Sequence, residues 1–391
     1  MLSVTLGTFT LVTNEFLPVG LLSDIRASMS VSEGVAGLSV TVPGITAALA
    51  APLLTVAAKK LDRRLVLFAM SALFTLADVL AAIAPNFATM LVARFLLGLG
   101  IGGFWAIGAS VASRLVTETS VPRATALIFS GVSIATVLGV PAGAFLGGVL
   151  GWRAAFIGTA ALGALALILQ LALLPRMVVD EAVTWRQLSS VLGGRNARVG
   201  LVVTLLLVVG QFAAYTYVTP FLEQETGADS GLISILLFVY GTAGILGTFA
   251  IGPALAVRLR RTLGIVVAVL AVTTLLMPLV GRWPVGAFAV LAAWGLAYGS
   301  VPLALQTWIF TADATRPEGG SALFISSFQV SIAIGSLLGG RIVDSGSAAT
   351  PMYAGAILAL GALLALLLFS RPVNAHPTPS EAARQEARQN A

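Results

Sequence analysis

Runs of about 20 apolar residues, each long enough to cross a hydrocarbon layer, recur along nearly the whole chain and limit what it can fold into. Twelve can be drawn, near 3–23, 35–57, 65–84, 88–113, 122–149, 154–175, 199–222, 231–256, 262–281, 285–311, 320–343 and 350–370. Of the 391 residues 58% are hydrophobic and 10% charged, against roughly 25% charged in a soluble domain. The pattern predicts an all-α membrane protein with twelve transmembrane helices. The first run has no basic leader segment and no A-x-A cleavage site, so it reads as a retained helix.

The loops set orientation. With the N-terminus in the cytoplasm, seventeen of the 22 Lys and Arg residues fall on the inner side, Arg26, Arg153, Arg282 and Arg341 on the outer side, and Arg94 inside a span. The positive-inside rule then predicts a multi-pass protein of a bacterial inner membrane with both termini cytoplasmic. These cations lie between apolar runs, so a net charge of +6 gives no reason to expect nucleic acid.

The longest polar interruption divides the chain into an N-terminal six-helix half (1–175), a cytoplasmic linker (176–198), a C-terminal six-helix half (199–371) and a polar cytoplasmic tail (372–391). KKLDRR at 59–64 after span two returns as RLRR at 258–261 after span eight, and VSIA at 132–135 returns at 330–333. Such self-similarity marks repeat-built transporters, here two pseudo-symmetric halves.

Ionisable residues inside the spans are few: Glu15 in span one, Asp78 in span three and Arg94 in span four. A charge near the bilayer centre costs about 2.5–3.5 kcal/mol on insertion scales and normally faces a protein interior or a wet cavity. Counted from the span ends, all three lie in the middle-to-outer half, within reach of one another. A carboxylate's proton affinity depends on whether a guanidinium or a poorly solvated cavity surrounds it. Two conformations that differ in this respect would load and release a proton on opposite sides. The competing reading is a static ion pair, which leads for Asp78, with Arg94 on the next span; proton coupling leads for Glu15.

GLGIGG at 98–103 matches a dinucleotide-binding pattern on paper, but no strand precedes it and it lies in an apolar span. Arg94, Gly98 and Gly102 instead form a flat stripe for a neighbouring helix such as span one. Gly139, Gly143, Gly147 and Gly151, with Pro141 among them, make a second stripe suited to a helix that bends or slides. A second polar set lies in spans seven, ten and eleven: Gln211, Tyr215, Tyr217, Trp294, Tyr298, Gln306, Trp308 and Gln329. Trp152, Trp283 and Trp308 are expected in the interfacial belt. The three glutamines are expected to face the bundle interior. With Phe104 and Trp105 they would line a cavity of stacking faces and amides with little fixed charge, suited to a neutral planar solute.

Cysteine is absent, the single histidine is His376 in the tail, and no G-x-S-x-G occurs. An enzyme, a metal site and a cofactor are therefore not expected. A monomer in the lipid bilayer, handling a small solute and protons, is.

Several stretches resemble the major facilitator superfamily, and within it the twelve-span drug:proton antiporters. KKLDRRLVL at 59–67 resembles the basic turn between spans two and three, with Asp62 and Arg63 in its conformational positions. ARFLLGLGIGG at 93–103 is similar to the span-four motif whose arginine, here Arg94, the family implicates in proton coupling. LGVPAGAFLGG at 138–148 with GWRAAF at 151–156 is similar to the antiporter motif of exporters, which carries Gly139, Pro141 and Gly143.

NEFLPVGLL at 14–22, SEGVAGLSVTV at 32–42, GGFWAIGAS at 102–110, GQFAAYTYV at 210–218 and WGLAYGSVPLALQTWI at 294–309 resemble bacterial purine ribonucleoside efflux permeases. That resemblance implies export of nucleosides such as inosine and guanosine in exchange for protons, with Asn14 beside the solute. Sugar and multidrug exporters share the first and third stretches. A passive facilitator would follow if both carboxylates were locked in ion pairs.

Overall fold

The computed structural model describes residues 1–57, 61–117, 120–177, 194–312 and 317–370, and these are almost entirely helical. The first eight helices are α1 (Leu2–Gly20), α2 (Leu22–Met29), α3 (Glu33–Ala57), α4 (Arg63–Ala82), α5 (Phe87–Leu115), α6 (Val121–Ile134), α7 (Val140–Leu150) and α8 (Trp152–Leu173). Then come α9 (Arg195–Tyr215), α10 (Val218–Gln224), α11 (Ser230–Val280), α12 (Pro284–Ala312), α13 (Pro317–Ser345) and α14 (Thr350–Phe369). By length and composition, 11 segments can cross a membrane, two of them within α11. With α1, whose apolar run is broken by Asn14 and Glu15, they account for twelve crossings. Residues 178–193, most of the linker, and residues 371–391, which include the whole tail, lie outside the described residues.

Three spans depart from a single straight helix. The RLRR segment is no loop: α11 runs 51 residues through it, and only Arg258 (φ −141°, ψ 56°) leaves helical geometry. Span five is α6 and α7 joined by a π-helical turn at Ala135–Gly139. Pro141 cannot donate to the carbonyl of Val137, and the wider turn absorbs that misfit. Span seven bends at Thr216 and Tyr217 before α10.

Glycine stripes set the helix contacts. A Cβ added at Gly98 would lie 2.6 Å from the Pro43 carbonyl oxygen, and one at Gly102 2.7 Å from that of Ala47. The helix lying on the Arg94 stripe is therefore α3, span two, and not span one. Span one uses the other stripe, where Gly139, Gly143 and Gly147 meet Thr13, Leu17 and Leu21 in steps of four. Gly151, at φ 86°, then turns the chain into α8. Small residues permit backbone approach that a side chain would block.

Helices α1–α8 pack mainly with one another, as do α9–α14, and α3 against α13 and α7 against α11 join the two groups. At the end holding residues 19–37 the groups are latched. Asp344 at the end of α13 accepts from Ser32 Oγ at 2.6 Å and from the Gly34 amide at 2.8 Å, close to the α3 N-terminus. Thr219 Oγ1 donates to the Val19 carbonyl at 2.8 Å and Ser336 Oγ to that of Gly37 at 3.0 Å. Among the described residues, no hydrogen bond joins the groups at the opposite end.

Asp62 caps α4 by accepting from the Arg64 amide at 2.9 Å, and the same oxygen accepts from the Met177 amide at 2.9 Å. Arg64 Nη2 reaches the Leu171 carbonyl at 2.6 Å. The basic turn is thus clamped to the end of α8, and the Met177 amide bond holds the Asp62 carboxyl below its usual range. A depressed acid contributes stability that is present above its unfolded value and lost as pH falls through the lower folded one. Asp62→Asn, which keeps the accepting oxygen but loses the charge, should therefore lower the melting temperature of purified protein at neutral pH by the equivalent of about 0.3–1 kcal/mol. The difference from wild type should stay constant down to about pH 4 and shrink below it; a difference that persists unchanged well below that pH would remove the charge from the clamp.

Candidate functional site

Consecutive residues on a helix point roughly 100° apart, so Asn14 and Glu15 of α1 serve different neighbours. Glu15, 5% exposed, faces the second helix group, where its Oε1 accepts from Gln329 Nε2 of α13 at 3.1 Å. Asn14 faces inward, and its Nδ2 donates to Asp78 Oδ2 of α4. Arg94 of α5, 1% exposed, reaches both residues through their backbone. Its Nη2 donates to the carbonyls of Asn14 at 2.9 Å and Glu15 at 3.2 Å, and its Nε to that of Ser39 at 2.7 Å.

The expected ion pair between Asp78 and Arg94 is therefore replaced by a different arrangement. Ion pairs among the described residues are Arg26–Glu33 and Arg282–Glu225, both away from the interior. Arg94 spends its hydrogen bonds on carbonyl oxygens, while Asp78 is held by a neutral amide. Both buried carboxylates thus lie near a guanidinium without being bonded to it.

Beside Glu15 lies an aromatic and amide group. Gln211 accepts from Trp294 Nε1 at 2.7 Å and donates to the Tyr240 hydroxyl at 2.9 Å. Tyr215 stacks on Tyr240 with ring centroids 4.7 Å apart, and Trp294 stands edge-on to both, at 6.2 Å from Tyr215 and 6.0 Å from Tyr240. Phe212 contacts Tyr215 and Tyr298 edge-on and stacks on Phe16 of α1 at 5.5 Å. Such offset and edge-to-face pairs are favourable ring geometries.

Not every expected lining residue joins this group. Phe104 is fully buried between Phe74 and Trp105, and Trp105 packs on Phe129, all within α4–α6. Tyr217 belongs to the latch, donating to the Ser336 carbonyl at 2.8 Å. Gln306 is half-buried without a hydrogen bond among the described residues. Of the three tryptophans assigned to the belt, Trp283 is exposed, whereas Trp152 and Trp308 are buried, and the indole of Trp308 donates to the Asn196 carbonyl at 3.0 Å. Phe16, Phe212 and Tyr240 were missed. Phenylalanine in an apolar run carries no signal, but Tyr240, a hydroxyl in mid-span, could have been flagged as the glutamines were.

The profile of the Major Facilitator Superfamily matches residues 4–317 and 200–390. The transcription regulatory protein OpdE of Pseudomonas aeruginosa is 35% identical over 372 residues, covering 94% of this chain and 92% of that protein. The purine ribonucleoside efflux pump NepI of Salmonella paratyphi A is 33% identical over 355 residues, 90% of this chain and 89% of the pump. Among solved structures, a bacterial homologue of the human lysosomal transporter Spinster, inward-facing and occupied, superposes with TM-score 0.72 at 16% identity, covering 97% of this chain and 98% of that one. The human organic anion transporter MFSD10 superposes with TM-score 0.69 at 19% identity, over 93% and 98% of the two chains. By its twelve-crossing helical fold and by these matches the chain belongs to the Major Facilitator Superfamily, whose members are membrane transporters and not enzymes.

Proposed function

We propose that this transporter exports a small neutral solute of the purine ribonucleoside class in exchange for protons, as a monomer in a bacterial inner membrane with both termini cytoplasmic. One observation carries the reading. Glu15 and Phe16 on α1 face Gln329 on α13 and Phe212 on α9, so an acid and a stacking face from one helix group meet an amide and a stacking face from the other. A planar base can take the place of one ring in the Phe16–Phe212 stack once the two part, and its polar edge can exchange hydrogen bonds with Gln211. The names of the NepI relatives, at about a third identity, support the same solute class.

In this reading the latched end faces outward and the opposite end opens to the cytoplasm. Solute enters from the cytoplasm while Glu15 is unprotonated. Outward opening breaks the bonds from Asp344 to Ser32 and Gly34, and the separation of α1 from α13 breaks Glu15–Gln329. Glu15, freed from its amide partner and wetted from outside, takes a proton as the solute leaves. The protonated carrier closes outside, and Glu15 gives up its proton to the cytoplasm before the next solute binds. Asp78 and Arg94 act on this step through Asn14 and the α1 backbone.

Three outcomes follow. In everted vesicles a proton gradient should drive accumulation of labelled inosine by wild type, and Glu15→Gln should abolish that response while leaving inosine exchange. An unchanged pH response would remove Glu15 from coupling, and transport of sugars or drugs without inosine would move the solute class. Gln211→Leu strands the indole of Trp294 and the hydroxyl of Tyr240, and should raise the KM of inosine exchange roughly tenfold, ~1.4 kcal/mol, without changing proton coupling. Because the chain has no cysteine, Phe212→Cys can report access directly. An impermeant maleimide should label it from the cytoplasmic side, and from both sides once Asp344→Ala releases the latch; labelling from the outer side only, with Asp344 intact, would reverse the orientation.

A further inference from the structure

Proline breaks a helix at a fixed place: having no N–H, it gives nothing to the carbonyl four residues back. Pro18 lies inside α1 and Pro43 inside α3. The carbonyls left without an amide are those of Asn14 and Ser39. These are the two oxygens that Arg94 approaches most closely, at 2.9 and 2.7 Å. We propose that Arg94 is a positioning residue whose guanidinium replaces both missing amides, joining α1 and α3 to α5 and thereby aiming Glu15 at the second helix group.

Both oxygens are in fully buried residues within the middle-to-outer part of their spans, where no lipid group can donate to them. A planar fork with donors at fixed angles can serve two helices at once, which an ammonium on a flexible stem does poorly. The glycine stripe makes the reach possible. Along α5 and α3, Arg94 meets Ser39, Gly98 meets Pro43 and Gly102 meets Ala47, each pair four residues on from the last. The close contact at the glycines holds α3 against α5, so the Nε of Arg94 falls on the freed carbonyl. With its donors committed to backbone, Arg94 fixes the α1 segment from which Asn14 reaches Asp78 and Glu15 reaches Gln329.

The rival view is that Arg94 acts through its charge on the two carboxylates nearest it, Asp78 and Glu15. The two views separate in purified protein without any solute. Arg94→Ala and the charge-keeping Arg94→Lys should each lower the melting temperature by several degrees. On a background carrying Pro18→Ala and Pro43→Ala, where the helices supply their own amides, Arg94→Ala should cost little. That triple variant should also recover solute exchange, with its pH profile at the wild-type position.

Three results would overturn the proposal: Arg94→Lys matching wild type, an undiminished or larger loss on the proline-free background, or a stable triple variant whose pH profile is displaced. The melting comparison holds whichever solute is carried, so its failure is distinguishable from failure of the transport reading, which shows only in the vesicle assay.

Discussion

An interior guanidinium bonded to backbone rather than to acids is the constraint on which the N-terminal site depends. Carbonyls released by Pro18 and Pro43 lie at the depth of Arg94, and the donors of Arg94 are directed to them. Left unmet in hydrocarbon such oxygens are costly, since neither lipid nor a neighbouring apolar side chain can donate. The glycines below Arg94 serve the same end, because only a helix without side chains on that face lets α3 approach this closely. Proline, arginine and glycine therefore form one device spread over three helices.

From that joint the polar side chains of α1 diverge. Asn14 ties the helix to Asp78 within its own group, whereas Glu15 and Phe16 look across to Gln329 and Phe212. Contact between the groups is otherwise made of Val19, Leu22, Val40 and Val140 packed into the second group's apolar core, of close glycine contacts on α3, α7, α11 and α13, and of a handful of hydrogen bonds, several of them to backbone carbonyls. Bonds of that kind can be exchanged for water with little net change, about 0.5–1.5 kcal/mol each. The hydrogen bonds of that interface can therefore be exchanged as it opens, while Val4, Leu11, Phe74, Leu97 and Phe104 hold an apolar core wholly within the first group. The latch at Asp344 is the polar exception, concentrated at one end.

How much of this was legible follows from the cost of polarity in lipid. Glu15, Asp78, Arg94, Gln211 and Gln329 stood out because each is expensive in an apolar run, and the structure buries all five in the interior. Sequence gave no way to know which acid Arg94 would bond; adjacency of spans three and four suggested Asp78, but backbone carbonyls left open by two prolines won. Those prolines were visible, four residues after Asn14 and Ser39. Phe16 and Phe212 were invisible for the opposite reason, being as apolar as their surroundings. Phe104, a ring like the others, was placed in the cavity from its neighbours in sequence, yet packing against Phe74 keeps it within its own group. The RLRR segment read as a loop because its charges are many, whereas one non-helical residue, Arg258, suffices to redirect the helix.

Committing Arg94 to backbone also bears on how a buried acid can be used. A carboxylate bonded directly to a guanidinium would give up that bond on every protonation, and breaking a buried pair costs about 3–5 kcal/mol. Glu15 instead holds a neutral amide on the opposite group, a bond that opening of the interface itself removes. In the proposed cycle, exchange of that amide for water and a proton would accompany the movement rather than oppose it. The fixed positive charge of Arg94 would stay in place through such a cycle, held by the Asn14 and Ser39 carbonyls, which do not titrate.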